Sequence, residues 1–305
     1  MVNFKVHFIV TVTLAFLFTL IIPDAQAEVF AVYDFEAGSP QIDRDMHPNP
    51  WAFSIVTSPV RLGNHAGRFE VREGDYWRGT SFTGDVDNKR NRSEFSEDHY
   101  RLPQGQDQYY GYSIYLPEDF PDKDNWEIFT QWHGRPDQYL NEIWRSPILA
   151  MRYGNNGIYF TIRYSAEKVQ YENDGTRLEI VRIENFQKGV WHDFVVHLRW
   201  SYRNDGQVEI WHNGARIKNY QGPVGYNDED GVYWKFGIYR AEHPSTDVIF
   251  LDEYRRGDSF EAVSLVEEIS QPPAQNDDGD VGDGDVDDSD GDDGGCFIRI
   301  LSLER

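Results

Sequence analysis

The sequence has few of the features that cross-link a protein, anchor it or bind zinc. Its 305 residues include one cysteine, Cys296, so no disulfide can form within the chain and a packed core must hold the fold. No cluster of His and Cys indicates a zinc site, and no Gly-x-Ser-x-Gly segment indicates a serine hydrolase. The apolar run at 8–22 is about 15 residues long, shorter than the roughly 20 that cross a bilayer. We therefore expect no membrane span in the mature chain.

Positive charge is also scarce. The chain has 29 Lys and Arg against 52 Asp and Glu, for a formal net charge of −23 at pH 7. Ten aspartates lie between Asp277 and Asp293, and without those ten charges the total would still be −13. A chain of this charge has no net basic field, so we expect no nucleic acid as a partner. An acidic ligand would need a locally basic site. The residues that the sequence offers for it are Lys89, Arg90, Arg92, Lys235 and Arg240.

The two ends differ in composition from the middle. Residues 1–27 read as a signal peptide, with a positive Lys5, the apolar run and a small-residue cleavage site at 25–27, which predicts a secreted or cell-surface protein. Residues 269–305 read as a linker, a disordered Asp/Gly-rich acidic tail and a short C-terminal segment, because so little apolar surface cannot offset the entropy of ordering. The remaining 28–268 has the size of one large β-domain, which we expect to be monomeric.

Strand-like alternation dominates the middle of the chain. Residues 158–164, 191–200 and 207–211 alternate in hydrophobicity, and Asn/Gly turn signals such as 155–157 and 213–214 separate such segments. There is no long helical pattern and no fixed-period repeat. The pattern predicts an all-β fold, an antiparallel β-sandwich of the concanavalin-like jelly-roll type with a concave groove for substrate.

Three predicted strands each place two polar groups on one face. The pairs are Arg92 and Glu94, Gln131 and His133, and Lys235 and Tyr239. Side chains alternate along a strand, so the members of each pair point the same way, while Trp132, Trp234 and Phe236 suit the opposite, buried face. One sheet face would then gather a guanidinium, an amide, an imidazole, an ammonium and a phenol. Those groups suit binding a carboxylated sugar and moving its protons.

The segments that hold these pairs resemble the signatures of jelly-roll polysaccharide lyases, namely lectin-fold alginate lyases, glucuronan lyases and heparin lyase I. Such alginate lyases carry Arg-Ser/Thr-Glu-Leu, Gln-Ile/Val-His and Tyr-Phe-Lys-Ala-Gly-Val/Ile-Tyr in the same order. Here Trp132 stands for the β-branched residue, Phe236 for the alanine, and Arg240-Ala241 for the usual x-Gln. With these residues, the segments are more similar to those of the glucuronan lyase and heparin lyase I branch than to those of alginate lyases. The resemblance runs from about 29 to 261.

The resemblance implies a secreted polysaccharide lyase that cleaves a glucuronan-, heparin- or alginate-like polymer by β-elimination, with no cofactor required. It assigns Arg92 and Gln131 to neutralising the uronate carboxylate, His133 or Tyr239 to taking the C5 proton, and Tyr239 to protonating the leaving O4. An arginine offers a carboxylate a planar, bidentate fork. Arg92 could also form a salt bridge with Glu94, which would orient it.

Further residues are expected to bind substrate. They are Lys235, Glu94, Arg240 and Arg163. Lys235 lies roughly 13 Å along a strand from Tyr239, so it suits an adjacent sugar better than the phenol. The other histidines lack such a context and are interpreted as structural or surface residues. Those considered are His99, His192, His197, His212 and His243.

Two other functions and one metal site stay open. A glycoside hydrolase of the same fold would need two carboxylates facing one bond, and no Glu-x-Asp-x-x-Glu segment is present. A non-catalytic carbohydrate-binding module is compatible with the nine tryptophans. Segments 34–36 and 251–254 read as terminal strands that pair with each other. Their Glu36 and Asp252 could hold a structural Ca²⁺ or be ordinary surface carboxylates.

Overall fold

The computed structural model describes residues 26–79, 84–170 and 175–266. Residues 1–25 of the predicted signal peptide (1–27) and all of the predicted linker and acidic tail (269–305) lie outside these ranges, so both stay predictions. Within the described residues the chain is nearly all β, with two antiparallel sheets packed face to face. The predicted fold class is confirmed.

Among the described residues, fifteen strands build the two sheets. They are β1 (Val29–Tyr33), β2 (Asp43–Met46), β3 (Phe53–Val56), β4 (Ala66–Val71), β5 (Arg90–Ser96), β6 (Gln108–Tyr115), β7 (Glu127–His133), β8 (Leu149–Gly154), β9 (Gly157–Tyr164), β10 (Thr176–Ile183), β11 (Trp191–Arg199), β12 (Gln207–His212), β13 (Ala215–Gln221), β14 (Tyr233–Ala241) and β15 (Asp247–Gly257). The described helices are α1 (Gly84–Asp87), α2 (Phe260–Val263) and one 3₁₀ turn, Gln138–Leu140.

Strand order separates a back sheet from a cleft sheet. The back sheet runs β13-β12-β11-β6-β15-β4-β3, with β1 also paired to β15, and the cleft sheet runs β10-β9-β8-β7-β14-β5-β2. The two ends of the domain pair as predicted, with Tyr33 opposite Tyr254, but the N-terminal strand is Val29–Tyr33 and not the predicted 34–36, where Phe35 has a φ of 62°. The central strands β7, β14 and β5 of the cleft sheet are the three that carry the motif pairs.

An aromatic core fills the space between the sheets. Trp132 and Trp234 from the cleft sheet are fully buried and stack with ring centres 6.1 Å apart. From the back sheet, Tyr110 lies 4.8 Å and Tyr254 5.0 Å from the Trp234 ring. Burying one large apolar side chain contributes about 1.5–3 kcal/mol to the stability of the fold, so this aromatic layer stabilises the packing of the cleft sheet against the back sheet.

Local sequence accounts for the turns and for one bend at the site. Asn155 and Asn156 both have φ near +50°, the conformation of a tight turn, and join β8 to β9 as predicted. Gly237 has φ of 139°, and a Cβ there would run into the Ser93 carbonyl. The pairing of β14 with β7 shifts register between Phe236 and Tyr239. This glycine therefore allows a β-bulge, which changes the direction in which the Tyr239 side chain points.

Candidate active site

An open cleft of about 1190 Å³ lies over the cleft sheet. Its described lining includes nine arginines and Lys235, but only three carboxylates. The arginines are Arg44, Arg78, Arg90, Arg92, Arg135, Arg145, Arg152, Arg163 and Arg177, and the carboxylates are Asp43, Asp45 and Asp98. A strongly acidic chain thus presents a locally basic cleft, which suits an acidic ligand.

A buried carboxylate, Glu94, joins the three motif strands. Its Oε2 accepts hydrogen bonds from Arg92 Nη1 at 2.6 Å and Lys235 Nζ at 3.0 Å, and its Oε1 accepts one from Gln131 Nε2 at 2.5 Å. One fully buried residue therefore fixes the guanidinium, the ammonium and the amide relative to one another. The sequence suggested substrate binding for Glu94, but the structure positions it beneath the groups that line the cleft.

Arg92 is held from two sides. Its Nε and Nη2 donate to Asp85 at 2.7 and 2.9 Å, while Nη1 donates to Glu94. Burial opposes the charge, but Asp85 and Glu94 outweigh it and hold the pKa of Arg92 well above its usual value. A guanidinium has five N–H donors, so two remain for a ligand. The sequence did suggest the pairing with Glu94.

Lys235 is similarly engaged. Its ammonium lies 2.8 Å from Asp45 as well as 3.0 Å from Glu94. Burial and Arg92 would lower the pKa of Lys235, but the two carboxylates hold it above its usual value. These contacts leave one N–H donor uncommitted. The inner cluster thus has two cations and three carboxylates, counting Asp85, so attraction for an anion must come from the other arginines of the cleft.

His133 is a neutral imidazole with one nitrogen open. Its Nδ1 lies 2.7 Å from the Gly134 carbonyl, which only accepts, so Nδ1 carries the proton and Nε2 has a free lone pair. Burial lowers the pKa of His133 to about 4, and Lys235 and Arg92 act in the same direction. The ring packs 5.7 Å from Tyr233 and 5.9 Å from Trp144. An oriented, unprotonated imidazole in a cleft can act as a general base.

Tyr239 lies over the guanidinium. The ring centre of Tyr239 is 3.7 Å from Arg92 Cζ and 5.4 Å from the Trp126 ring. Its hydroxyl makes no hydrogen bond to any residue in the described part of the chain. Cross-strand register puts Tyr239 opposite Ile128, while Tyr233 is opposite His133, so the phenol and the imidazole occupy two levels of the same cleft.

Two other predicted substrate residues have different locations. Arg163 lines the cleft on β9, opposite Arg177 on β10. Arg240 points into the core, where it is fully buried and pairs with Asp247 and Asn91. That position disagrees with the prediction that Arg240 binds substrate. Neighbouring residues of a strand face opposite sides, so the residue after Tyr239 cannot share its face.

The predicted calcium ligands lie outside the cleft lining and hold one loop. Glu36 accepts hydrogen bonds from the backbone N–H groups of Asn64 and His65, both at 2.7 Å. Asp252 accepts them from Arg61 at 2.9 Å and Leu62 at 3.4 Å. Burial raises the pKa of Asp252 to about 7. Both carboxylates thus converge on residues 61–65, through backbone donors.

A second acidic group flanks the cleft. Asp137, Glu142 and Asp228 place carboxylate oxygens within 4.8 Å of one another and are all buried. Arg145 donates to Asp228 at 2.5 Å, and Glu142 accepts the backbone N–H of Asp137 at 2.8 Å. Burial raises the pKa of Asp228 to about 7. This group ties together the loops that precede β8 and β14.

Several site residues were missed by sequence reasoning. They are Asp45, Asp85, Trp126, Arg152 and Tyr233. Trp126 and Tyr233 could have been found, because Trp126 immediately precedes the motif strand β7 and Tyr233 is the first residue of the motif strand β14. Asp85 gave no signal, since a one-turn helix brings it to Arg92. In the described part of the chain, no helix is both long and apolar enough to span a bilayer.

Comparisons with known proteins identify the family of this chain. A family model described as polysaccharide lyase matches residues 31–255. The crystal structure of an endo-β-1,4-glucuronan lyase from the fungus Trichoderma reesei is similar, with a TM-score of 0.56 at 21% identity over 72% of this chain and 96% of that one. At that identity the likeness concerns the fold alone.

Two weaker likenesses carry no argument. The cellulose induced protein Cip1 has a TM-score of 0.48 at 15% identity, over 75% of this chain and 97% of that one. The alginate lyase A1-II′ of polysaccharide lyase family 7 has a TM-score of 0.47 at 11% identity, over 69% and 84%. No curated protein matches the chain significantly. Because the family model spans most of the sandwich, the chain belongs to the polysaccharide lyase family and is a polysaccharide lyase.

Proposed function

We propose that this lyase cleaves a uronic-acid-containing polysaccharide, of the glucuronan, heparin or alginate kind, by β-elimination. The observation that carries the proposal is a neutral His133 with its Nε2 open, in a cleft lined by ten cationic side chains. The cations favour a polymer with a negative charge on its sugars. The unprotonated imidazole supplies the base that elimination needs. Glucuronate is the first uronate to test, since a glucuronan lyase shares the fold.

Neutralising the sugar carboxylate comes first. The proton on C5 is weakly acidic while the adjoining carboxylate keeps its full charge. The two uncommitted N–H donors of Arg92 and the second amide hydrogen of Gln131 would bind that carboxylate. Glu94 holds both groups in position before substrate arrives. Donors that are preorganised toward developing charge usually supply the largest catalytic contribution.

Proton transfer completes the elimination. His133 Nε2 takes the C5 proton, the C4–O4 bond breaks, and the electron pair of the C5–H bond forms the C4=C5 double bond. Tyr239 gives its hydroxyl proton to the departing O4. Arg92, beneath the phenol ring, stabilises the phenolate until the proton on His133 returns through solvent. The alternative assignment makes Tyr239 the base as well as the acid.

An absorbance assay tests the proposal. Polyglucuronate, alginate and heparin are each incubated with the protein while ultraviolet absorbance and reducing ends are followed. Elimination produces a conjugated 4,5-unsaturated uronate, so absorbance and reducing ends rise together. New reducing ends without absorbance would mean a glycoside hydrolase, and binding without either signal would mean a carbohydrate-binding module.

We propose a structural Ca²⁺ as well. Glu36, in the turn after β1, and Asp252, on β15, approach the same five-residue loop, and calcium prefers oxygen ligands such as carboxylates. The raised pKa of Asp252 fits a buried carboxylate that gains from a cation nearby. The metal would tie the loop to β15 and take no part in the elimination. Secretion through residues 1–27 and a monomeric state also belong to this proposal.

A further inference from the structure

Arg152 differs from every other buried arginine in the described residues. Five arginines are almost fully buried, and four have a carboxylate partner. The pairs are Arg92 with Asp85 and Glu94, Arg145 with Asp228, Arg240 with Asp247, and Arg256 with Glu97. Arg152 is 8% exposed, and no described carboxylate lies within ion-pair distance of it. Its one hydrogen bond to a described residue is from Nε to Thr161 Oγ1 at 2.9 Å.

The surroundings of Arg152 increase the cost of its charge. Burial lowers its pKa to about 10, and the nearby Arg177 and Arg163 act in the same direction. A buried charge without a counter-ion costs several kcal/mol, so folding alone would favour an apolar residue here. Both Nη groups are uncommitted within the described structure, and the residue lines the cleft. An anion entering the cleft would supply the missing counter-charge.

The register places Arg152 at a defined distance from the reacting groups. Tyr239 on β14 is opposite Ile128 on β7, which is opposite Arg152 on β8. The positions of Tyr239 and Arg152 are therefore separated by two strand spacings, about 10 Å, which is wider than one sugar ring. Trp126 links the two positions, because its ring lies 5.4 Å from that of Tyr239 and 5.8 Å from the Arg152 guanidinium. An anion on Arg152 would therefore belong to a neighbouring sugar.

We propose that Arg152, within electrostatic range of Arg177 on β10, forms a subsite for an oxyanion on the sugar adjacent to the one that loses its C5 proton. The oxyanion is the carboxylate of a second uronate or a sulfate on that sugar. The enzyme then selects runs of acidic sugars over an isolated uronate. This inference rests on the proposed function, since it deepens the same site.

Kinetics on two matched polymers test the subsite. Arg152→Gln and wild type are compared on polyglucuronate and on the same polymer with part of its carboxyl groups reduced to alcohols. On the intact polymer the variant should raise KM about 10- to 100-fold, the cost of losing a charge-assisted contact, with little change in kcat. On the carboxyl-reduced polymer, the KM values of Arg152→Gln and wild type should be closer to each other. Arg199→Gln on the back sheet, which removes the same charge from a pair with Asp107, should match wild type.

A stability measurement separates binding from a structural role. Arg152→Met should raise the melting temperature of the free protein by about 2–4 °C, because it removes a buried charge that nothing in the described structure balances. Arg240→Met, which breaks a buried ion pair, should lower it. A fall with Arg152→Met would mean that the guanidinium holds the fold, and would overturn the inference.

Binding without cleavage distinguishes this inference from the proposed function. Glucuronate oligomers and heparin fragments are titrated while tryptophan fluorescence is followed. Weaker binding to Arg152→Gln than to wild type supports the subsite even if no polymer is cleaved. Absence of cleavage would overturn only the proposal that the protein is a lyase for these polymers. A larger loss for heparin fragments identifies sulfate, and a larger loss for glucuronate oligomers identifies carboxylate. Cleavage with an unchanged KM overturns the subsite, and absence of binding to wild type overturns both.

Discussion

The two sheets of the sandwich carry histidines in comparable strands and use them differently. On the back sheet, His192 Nε2 donates to the Gln187 carbonyl and Nδ1 accepts from His212, each at 2.8 Å. His197 lies between Asp107 at 2.8 Å and Glu209 at 3.0 Å. Both ring nitrogens of His192 and of His197 are therefore engaged. Within the described ranges, His133 on the cleft sheet uses only Nδ1 for hydrogen bonding.

A lowered pKa does not separate the two sheets. Burial lowers the pKa of His212 to about 4, as it does for His133. The difference is that the free nitrogen of His133 adjoins an open cleft lined by cations, whereas His212 packs 4.8 Å from the ring of Phe194. A candidate catalytic group is marked here by unused hydrogen-bonding capacity next to accessible volume.

Removing the acid–base groups should give the largest effect. His133→Ala and Tyr239→Phe should each reduce kcat by about 10²–10⁴-fold, the usual contribution of a positioned acid or base, in the ultraviolet assay. His197→Gln on the back sheet should keep near wild-type kcat, because its partners lie away from the cleft. Full activity in both cleft variants would contradict the assigned chemistry. Loss in Tyr239→Phe alone would make the tyrosine the base.

A smaller loss should follow from a change behind the site. Glu94→Gln keeps the shape but weakens the contacts to Arg92, Gln131 and Lys235, so kcat should fall about 10- to 100-fold, as when hydrogen bonds to charged groups are lost. The matched control on the back sheet is Glu209→Gln, which holds His197 and Arg216. If both variants lost equal activity, the effect would reflect general stability instead of positioning.

Period-2 alternation made much of the cleft predictable. It places Arg92, Gln131, His133, Lys235 and Tyr239 on one face, and all five line the cleft. The same rule should have excluded Arg240, whose neighbour is Tyr239.

The remaining features depend on distances that no local pattern encodes. Glu94 joins three strands only because of cross-strand register, with Glu94 opposite Gly237. Asp85 reaches Arg92 through a tertiary contact. Arg152 is unusual for its lack of a described counter-ion, which a sequence cannot reveal. Residue types and faces were thus predictable, whereas partners were not.

Acid should lower activity through the cleft sheet and stability through both sheets. His133 is unprotonated above about pH 4, so kcat/KM should fall near pH 4, well below the 6.5 of a free imidazole. His212 also stays neutral in the folded state, whereas the unfolded chain takes up a proton near 6.5. Stability from His212 is therefore complete above pH 6.5 and is lost as pH falls toward 4, by roughly 1–3 kcal/mol. The free energy of unfolding of His212→Gln, measured with urea at several pH values, should fall less toward pH 4 than that of wild type. An equal fall in both proteins would contradict the assignment.

Calcium should give the smallest effect, on stability alone. Asp252 in the back sheet has a pKa raised to about 7, so without metal the fold loses stability as pH rises from about 4 to 7 and the buried carboxylate ionises. At pH 8, calcium at 100-fold above its Kd would add about 2.7 kcal/mol. The melting temperature should rise with calcium relative to a chelator, while kcat at a fixed moderate temperature should not change.

Asp228 provides a matched comparison for calcium, because burial raises its pKa to about 7 as well. Asp252→Asn should abolish the calcium response. Asp228→Asn should keep the response, since Arg145 already neutralises that carboxylate. The reverse pattern would move the metal to the group of Asp137, Glu142 and Asp228 beside the cleft. In that case calcium would order the loops next to His133, and chelation should lower kcat as well as the melting temperature.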